Sequence, residues 1–165
     1  MKPYVLCDID GTASDPAHRL HHVRGPGRKD WGAFFAGCGA DACHDDVAEI
    51  LHALVAPGRR VIYVTGRPER QRRATLDWLR RHGWPEGPLH MRANNDFRTD
   101  DVVKEEILDR ELKLTPADVL CVLDDRDRVV AMWRRTGVRT RPRRPAAPGS
   151  RGGHACESDA PVDPG

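Results

Sequence analysis

The sequence predicts an α/β fold: a doubly wound parallel sheet with helices on both faces. Three observations predict it. Short apolar runs recur along the chain, and turn-forming Gly, Pro or Asp bound them. Segments with apolar residues at helical spacing lie between these runs. The 165 residues suit one domain with a single core, and 39% hydrophobic with 32% charged residues is ordinary for a globular chain. Strands that alternate with helices pair in parallel through right-handed crossovers.

The elements follow in order. Residues 4–7 form a buried strand that ends on Asp8. Residues 13–44 mix Gly, Pro, His and Arg without a period, which predicts a long loop with one helical turn around Trp31, Phe34 and Phe35. These aromatics serve either to pack the loop or to stack on bases. Asp45 or Asp46 caps a helix through residue 55, with Val47, Ile50, Leu51 and Leu54 on one face, and Pro57-Gly58 stops it. Residues 60–65 are a second strand. Pro68 opens a helix with Leu76 and Leu79 inward, and Gly83 ends it. Residues 89–91 give a third strand. Thr99 or Asp100 caps a helix through residue 111. Residues 119–123 form a fourth strand, residues 126–135 the last helix, and residues 138–140 an edge strand. The domain is expected to span residues 1–141. Pro, Gly, Ala and Ser dominate residues 142–165, which predicts a disordered tail.

Composition excludes some classes of function. No apolar run approaches the roughly 20 residues of a membrane helix, and Asp8 comes too early for a signal peptide. A cytoplasmic location with no membrane partner is the default expectation. The net charge of +2 gives no global signal for nucleic acid. The basic residues are mostly arginine, which either GC-rich coding or phosphate binding would produce. Of five cysteines, Cys7 and Cys121 fall in strands, and Cys38, Cys43 and His44 lack a second ligand pair for zinc. A homo-oligomer is compatible with the sequence.

In such a sheet, ligands bind beyond the carboxyl ends of the strands. The first strand delivers Asp8-Ile9-Asp10-Gly11-Thr12 there, the second Thr65-Gly66-Arg67, and the fourth Asp124-Asp125. Lys104 stands one helical turn after Asp100 and shares its face. Crowded carboxylates are costly unless a cation neutralises them, and oxygen-only ligation selects a hard ion, so Mg2+ is the expected cofactor. Lys104 and Arg67 add positive charge without offering ligands, a combination that suits a phosphate. Each motif alone is common, since acids at strand ends cap helices and Asp-Gly makes turns. Their joint occurrence in this order carries the reading.

These motifs resemble the haloacid dehalogenase superfamily, whose Rossmannoid sheet the chain is then expected to share with little or no cap domain. Asp10 resembles the phosphatase branch. In the second half, Asp100-Asp101-Val102-Val103-Lys104-Glu105-Glu106-Ile107 and Leu123-Asp124-Asp125-Arg126 are similar to the 3′-phosphatase domain of phage-type polynucleotide kinases. The resemblance implies an Mg2+-dependent phosphomonoesterase that forms an aspartyl-phosphate. It implies Asp8 as nucleophile, Asp10 as general acid/base, and Lys104 and Arg67 as charge-stabilising groups. It places phosphate contacts at Thr65, Gly66, Arg19 and Asp100. It implies a metal held by Asp8, the Asp10 carbonyl and the Asp124-Asp125 pair, with Asp125 favoured. Asp10 is expected to hold a proton near neutral pH, its pKa raised by crowding and burial. No Gly-x4-Gly-Lys-Ser/Thr loop occurs, so 5′-kinase activity is not expected of this chain. The substrate is then a 3′-phosphorylated DNA or RNA end. A nucleotidase or other small-molecule phosphatase is the alternative, because its core chemistry is the same. A phosphoacceptor receiver module would carry its paired acids on the first strand and its lysine on the last, unlike this order. A non-catalytic binding domain would more readily have lost Asp8 or Asp10.

Overall fold

The computed structural model describes residues 3–142. In chain order these form β1 (Tyr4–Cys7), β2 (Ser14–Asp15), α1 (Trp31–Ala36), β3 (Ala42–Cys43), α2 (Asp45–Val55), β4 (Arg60–Pro68), α3 (Arg72–Arg81), β5 (Leu89–Arg92), α4 (Asp100–Glu106), β6 (Val119–Asp124), α5 (Asp127–Arg135) and β7 (Thr140–Pro142). The main sheet has the order β5-β4-β1-β6-β7, with every pairing parallel. The chain winds outward from β1 through β4 to β5, then returns past β1 to build β6 and β7. The reversal puts the crevice at the carboxyl ends of β1 and β6.

Alternation along the strands supplies two cores. Val5, Cys7, Val61, Tyr63, Cys121 and Leu123 face α2 and α3, joined by Leu51, Trp78 and Leu79. Leu6, Ile62, Val64 and Val122 face α4 and α5, joined by Val103, Met132 and Trp133. A strand buried on both faces needs apolar residues at every position, and β1 and, as far as Leu123, β6 have them. The doubly wound sheet expected from the sequence is therefore the observed one.

Several local expectations change. Pro68 does not open a helix. It ends β4 with an extended backbone (ψ 150°), and a 3-10 turn over Glu69–Gln71 precedes α3. The longer strand carries Arg67 out to the sheet edge, past a register shift between Thr65 and Pro68. The helix from Asp100 is α-helical through Glu106 and then widens into a π turn over Ile107–Leu112, closed by Lys113 at φ 51°. His44 occupies the N-cap of α2, and Asp45 and Asp46 sit in its first turn, where negative charge meets the positive helix end. Ile50 is 44% exposed because the buried stripe runs through Val47 and Leu51, with Ile50 on its flank. The edge strand forms at Thr140–Pro142 rather than residues 138–140.

Residues 13–44 hold more structure than a loop. A 3-10 turn spans Ala17–His22 with its buried Arg19, and β2 pairs with β3 in antiparallel fashion. This small insertion lies between β1 and α2. The expected tail lies outside the described residues, except for Pro142. No helix among the described residues is long and apolar enough to cross a membrane.

Candidate active site

Asp8 follows β1 directly and is buried. Its Oδ1 lies 2.7 Å from Lys104 Nζ, and the same ammonium donates to Asp124 Oδ2 at 2.8 Å. Lys104 arrives from α4 and Asp124 closes β6, so three elements meet at this point. Asp124 also accepts from Trp133 Nε1 at 3.2 Å and from the Arg126 amide at 3.3 Å. Among the described residues, Asp125 accepts only from Thr12 Oγ1, at 3.2 Å. A Cβ on Gly11, at φ 87°, would fall 2.3 Å from Asp125 Oδ2, so only glycine lets the two segments approach.

Asp8, Asp124 and Asp125 each offer an oxygen within 4.8 Å of the others. Burial, above all, with the nearby Asp124 and Asp125 charges, pushes the Asp8 carboxyl up to about 8, against the opposing pull of Lys104. Burial and Asp124 raise Asp125 likewise. For Lys104, burial disfavours the charge, but Asp124 and Asp8 outweigh it and raise the pKa. Carboxylates that ionise reluctantly for want of positive charge, with only oxygen donors on offer, fit a hard divalent cation.

Asp10 occupies the adjoining wall. Its Oδ1 accepts from Arg67 Nη2 at 2.5 Å, Arg67 Nε at 2.8 Å and Arg19 Nη2 at 2.6 Å. Both guanidinium groups are buried. The expectation of a raised Asp10 pKa is corrected here: burial pushes it upward, but Arg67 and Arg19 outweigh burial and hold it below the ordinary carboxylate value. The Asp10 side chain is not one of the three carboxylates that lie within 4.8 Å of one another.

Within β4, the buried Thr65 Oγ1 accepts from the Arg67 amide at 3.3 Å. A Cβ on Gly66 would sit 2.6 Å from Asp100 Oδ1, so glycine keeps β4 close to α4. Asp100 accepts from Arg92 and Arg126. A carboxylate repels phosphate, so its contribution here is to hold these two arginines. A cavity of about 460 Å³ opens over Asp8 and Asp10, and Gly66, Asp100, Arg126 and Phe97 line it with Trp31 and Phe35. Phe97 is 91% exposed, and Trp31 stacks on Phe35 with 6.0 Å between ring centroids.

The residues singled out in the sequence thus fall into three groups: Asp8 with Lys104, Asp124 and Asp125; Asp10 with Arg19 and Arg67 behind it; and Gly66 with Asp100 at the opening, while Thr65 is buried within β4. Arg19 does not point freely toward a phosphate; it is spent on Asp10 and Asp41. Sequence reasoning missed Asp41, Ser14 and Arg92. Arg92 ends β5 and donates to the Gly66 carbonyl at 2.9 Å. The strand-end rule that points to β1, β4 and β6 finds it at the carboxyl end of β5. Asp41 lies in a stretch without periodicity and gave no such signal.

Residues 2–141 match the family model described as the polynucleotide kinase PNKP phosphatase domain. A chain of the Pnkp1/Rnl/Hen1 complex superposes with a TM-score of 0.70 at 30% identity, over 85% of this chain and 45% of that one. The described chain therefore corresponds to less than half of that relative. A predicted phosphatase from Clostridium acetobutylicum (TM-score 0.62, 14% identity, 85% and 83% of the two chains) shares the fold. So does CbbY from Rhodobacter sphaeroides in complex with phosphate (0.57, 15%, 85% and 85%).

Proposed function

The chain belongs to the polynucleotide kinase PNKP phosphatase-domain family and is a haloacid dehalogenase-type phosphatase, and from that premise we propose that it removes 3′-phosphates from DNA or RNA ends through an aspartyl-phosphate, with Mg2+ bound. One observation carries the reading. The Asp8 carboxylate stands beside Lys104 and the Asp124-Asp125 pair beneath an open cavity, with the arginine-held Asp10 on its wall.

Asp8, Asp125 and the Asp10 carbonyl would hold Mg2+, with Asp124 occupied by Lys104 and Trp133. When bound, the ion supplies positive charge that lets a carboxylate approach a phosphate dianion. Asp8 attacks phosphorus, and the bond from phosphorus to the 3′-oxygen breaks. Asp10 gives that oxygen a proton. Water then attacks the aspartyl-phosphate and passes a proton to Asp10, releasing phosphate and restoring Asp8. Asp10 is ionised in the free protein. Entry of a phosphate dianion adds like charge beside it and shifts the carboxyl upward toward a working range. Lys104 offsets the charge that gathers on Asp8 and the transferred group, while Thr65 and the Gly66 amide face the phosphate oxygens.

A polynucleotide end is favoured by the surroundings of the cavity. Trp31, Phe35 and Phe97 present aromatic faces, and Arg70 lines the same opening with no acidic partner among the described residues. Stacking faces beside basic groups suit single-stranded ends. The relative of 30% identity belongs to an RNA repair complex, which supports the same substrate class. The test is a substrate panel with Mg2+: 3′-phosphorylated DNA and RNA oligonucleotides against nucleoside monophosphates. The oligonucleotides should have the higher kcat/KM. Preference for mononucleotides would make the protein a nucleotidase.

A further inference from the structure

Five arginines line the cavity over Asp8, and four of them already meet a carboxylate. Arg92 and Arg126 both donate to Asp100. Arg98 reaches Asp96 Oδ2 and Glu106 Oε2, each at 2.6 Å, and Arg128 donates to Asp101 Oδ2 at 3.0 Å. The fifth, Arg70, has no acidic partner among the described residues, and its side chain is exposed. The acid next to it in sequence, Glu69, is taken by Arg72, whose Nη2 donates to Glu69 Oε2 at 2.9 Å.

The placement of Arg70 is nonetheless fixed. It stands in the 3-10 turn that follows β4. Its amide donates to Asn94 Oδ1 at 2.7 Å, which ties this turn to the connection between β5 and α4, where the exposed Phe97 also lies. The main chain is held while the guanidinium is uncommitted. An exposed arginine without an ion pair adds little to the fold. What Arg70 adds is positive charge on the wall of a cavity of about 460 Å³, a volume in the range of sites that take one small ligand.

We propose that Arg70 is a specificity-determining residue: it receives the phosphodiester on the 5′ side of the terminal nucleoside and so favours a polynucleotide end over a mononucleotide. This rests on the reading of the cavity as a 3′-phosphatase site. A nucleoside 3′-monophosphate spends its one phosphate on Asp8 and carries nothing for Arg70 to meet. Every longer chain carries a phosphodiester one nucleoside away, with two free oxygens that match the guanidinium fork. The contact lies away from the reacting phosphorus and is the same before and during the reaction. Its loss therefore falls on KM and leaves kcat alone.

The smallest probe pair isolates this one phosphate. Thymidine 3′-monophosphate and thymidine 3′,5′-bisphosphate are compared with Mg2+, beside their uridine counterparts and a 3′-phosphorylated oligonucleotide, and loss of the 3′-phosphate is followed by chromatography. The bisphosphate should have the lower KM by about tenfold, the scale of one charge-assisted hydrogen bond. In Arg70→Gln its KM should rise to that of the monophosphate, with kcat within about twofold. The monophosphate kinetics and the melting temperature should not move. Equal KM values for the two probes in the unsubstituted protein, with the oligonucleotide still preferred, would overturn the role of Arg70 and leave the 3′-phosphatase reading standing. Equal losses on both probes in Arg70→Gln would do the same. A mononucleotide preferred over the oligonucleotide, or no release of 3′-phosphate at all, would overturn the reading of the site itself.

Discussion

Lys104 holds its ammonium 2.7 Å from Asp8, and both side chains are buried at the carboxyl edge of the sheet. A buried pair of this kind has work to do beyond stability, since its charges would cost less at the surface.

Lys104→Ala should therefore harm two quantities. Turnover should fall by about 100-fold to 1,000-fold through loss of charge stabilisation. Stability should fall by about 3–5 kcal/mol, because Asp124 is left buried and without its ion-pair partner. Steady-state kinetics and denaturant unfolding measure the two, and an unchanged turnover would remove Lys104 from the chemistry.

Asp125 and Asp124 should separate in their response to metal. Asp125 accepts one hydrogen bond from the described residues, at 3.2 Å, so Asp125→Asn should raise the Mg2+ concentration for half-maximal activity by about tenfold or more with little change in melting temperature. Asp124 accepts from Lys104 and Trp133, so Asp124→Asn should lower the melting temperature as well. A magnesium titration with a thermal melt on each variant distinguishes them. Equal metal sensitivity in both would place the ion differently.

Stability of the metal-free protein should fall as pH rises from about 4 toward about 8. The folded Asp8 carboxyl is raised to about 8, so over this window the native state holds a proton that the unfolded state has released. Stability from this group is full below the ordinary carboxylate pKa and lost as pH climbs through the folded one. Metal binding must displace that proton, so Mg2+ should stabilise more at the alkaline end and release protons on binding. Melting curves across this range, and calorimetry in buffers of different ionisation enthalpy, read both effects. Asp8→Asn should flatten the slope.

Phe97→Ala should leave the melting temperature unchanged, since the ring is 91% exposed. For a 3′-phosphorylated oligonucleotide, KM should rise about tenfold, the lower end of what one stacked base contributes. KM for p-nitrophenyl phosphate should not move. An equal change on both substrates would count against a base-stacking ring.

How much of this was legible in the sequence depends on what buries each residue. Val5, Leu6, Val61, Val64, Val122 and Leu123 are buried by the hydrophobic effect, and their period announces the strands. Asp8, Asp10, Thr65, Arg67, Asp124 and Asp125 follow from the strand-end rule. Ser14, Arg19 and Asp41 are buried by one another's charge and hydrogen bonds, which leaves no apolar period to read. Residues 13–44 therefore looked like a loop. The true end of β4 was masked by Pro68, whose fixed φ suits the first turn of a helix and an extended backbone alike.

Ser14, Arg19 and Asp41 come from the insertion, while Arg67 belongs to the sheet, and each needs the others to be stable out of water. The insertion is thus not an interchangeable module. Grafting the equivalent stretch of another phosphatase onto this scaffold would leave two buried acceptors of Arg67, Ser14 and Asp41, missing from a dry interior with Asp10 still in place, unless the donor brought an acid of its own to the place of Asp41.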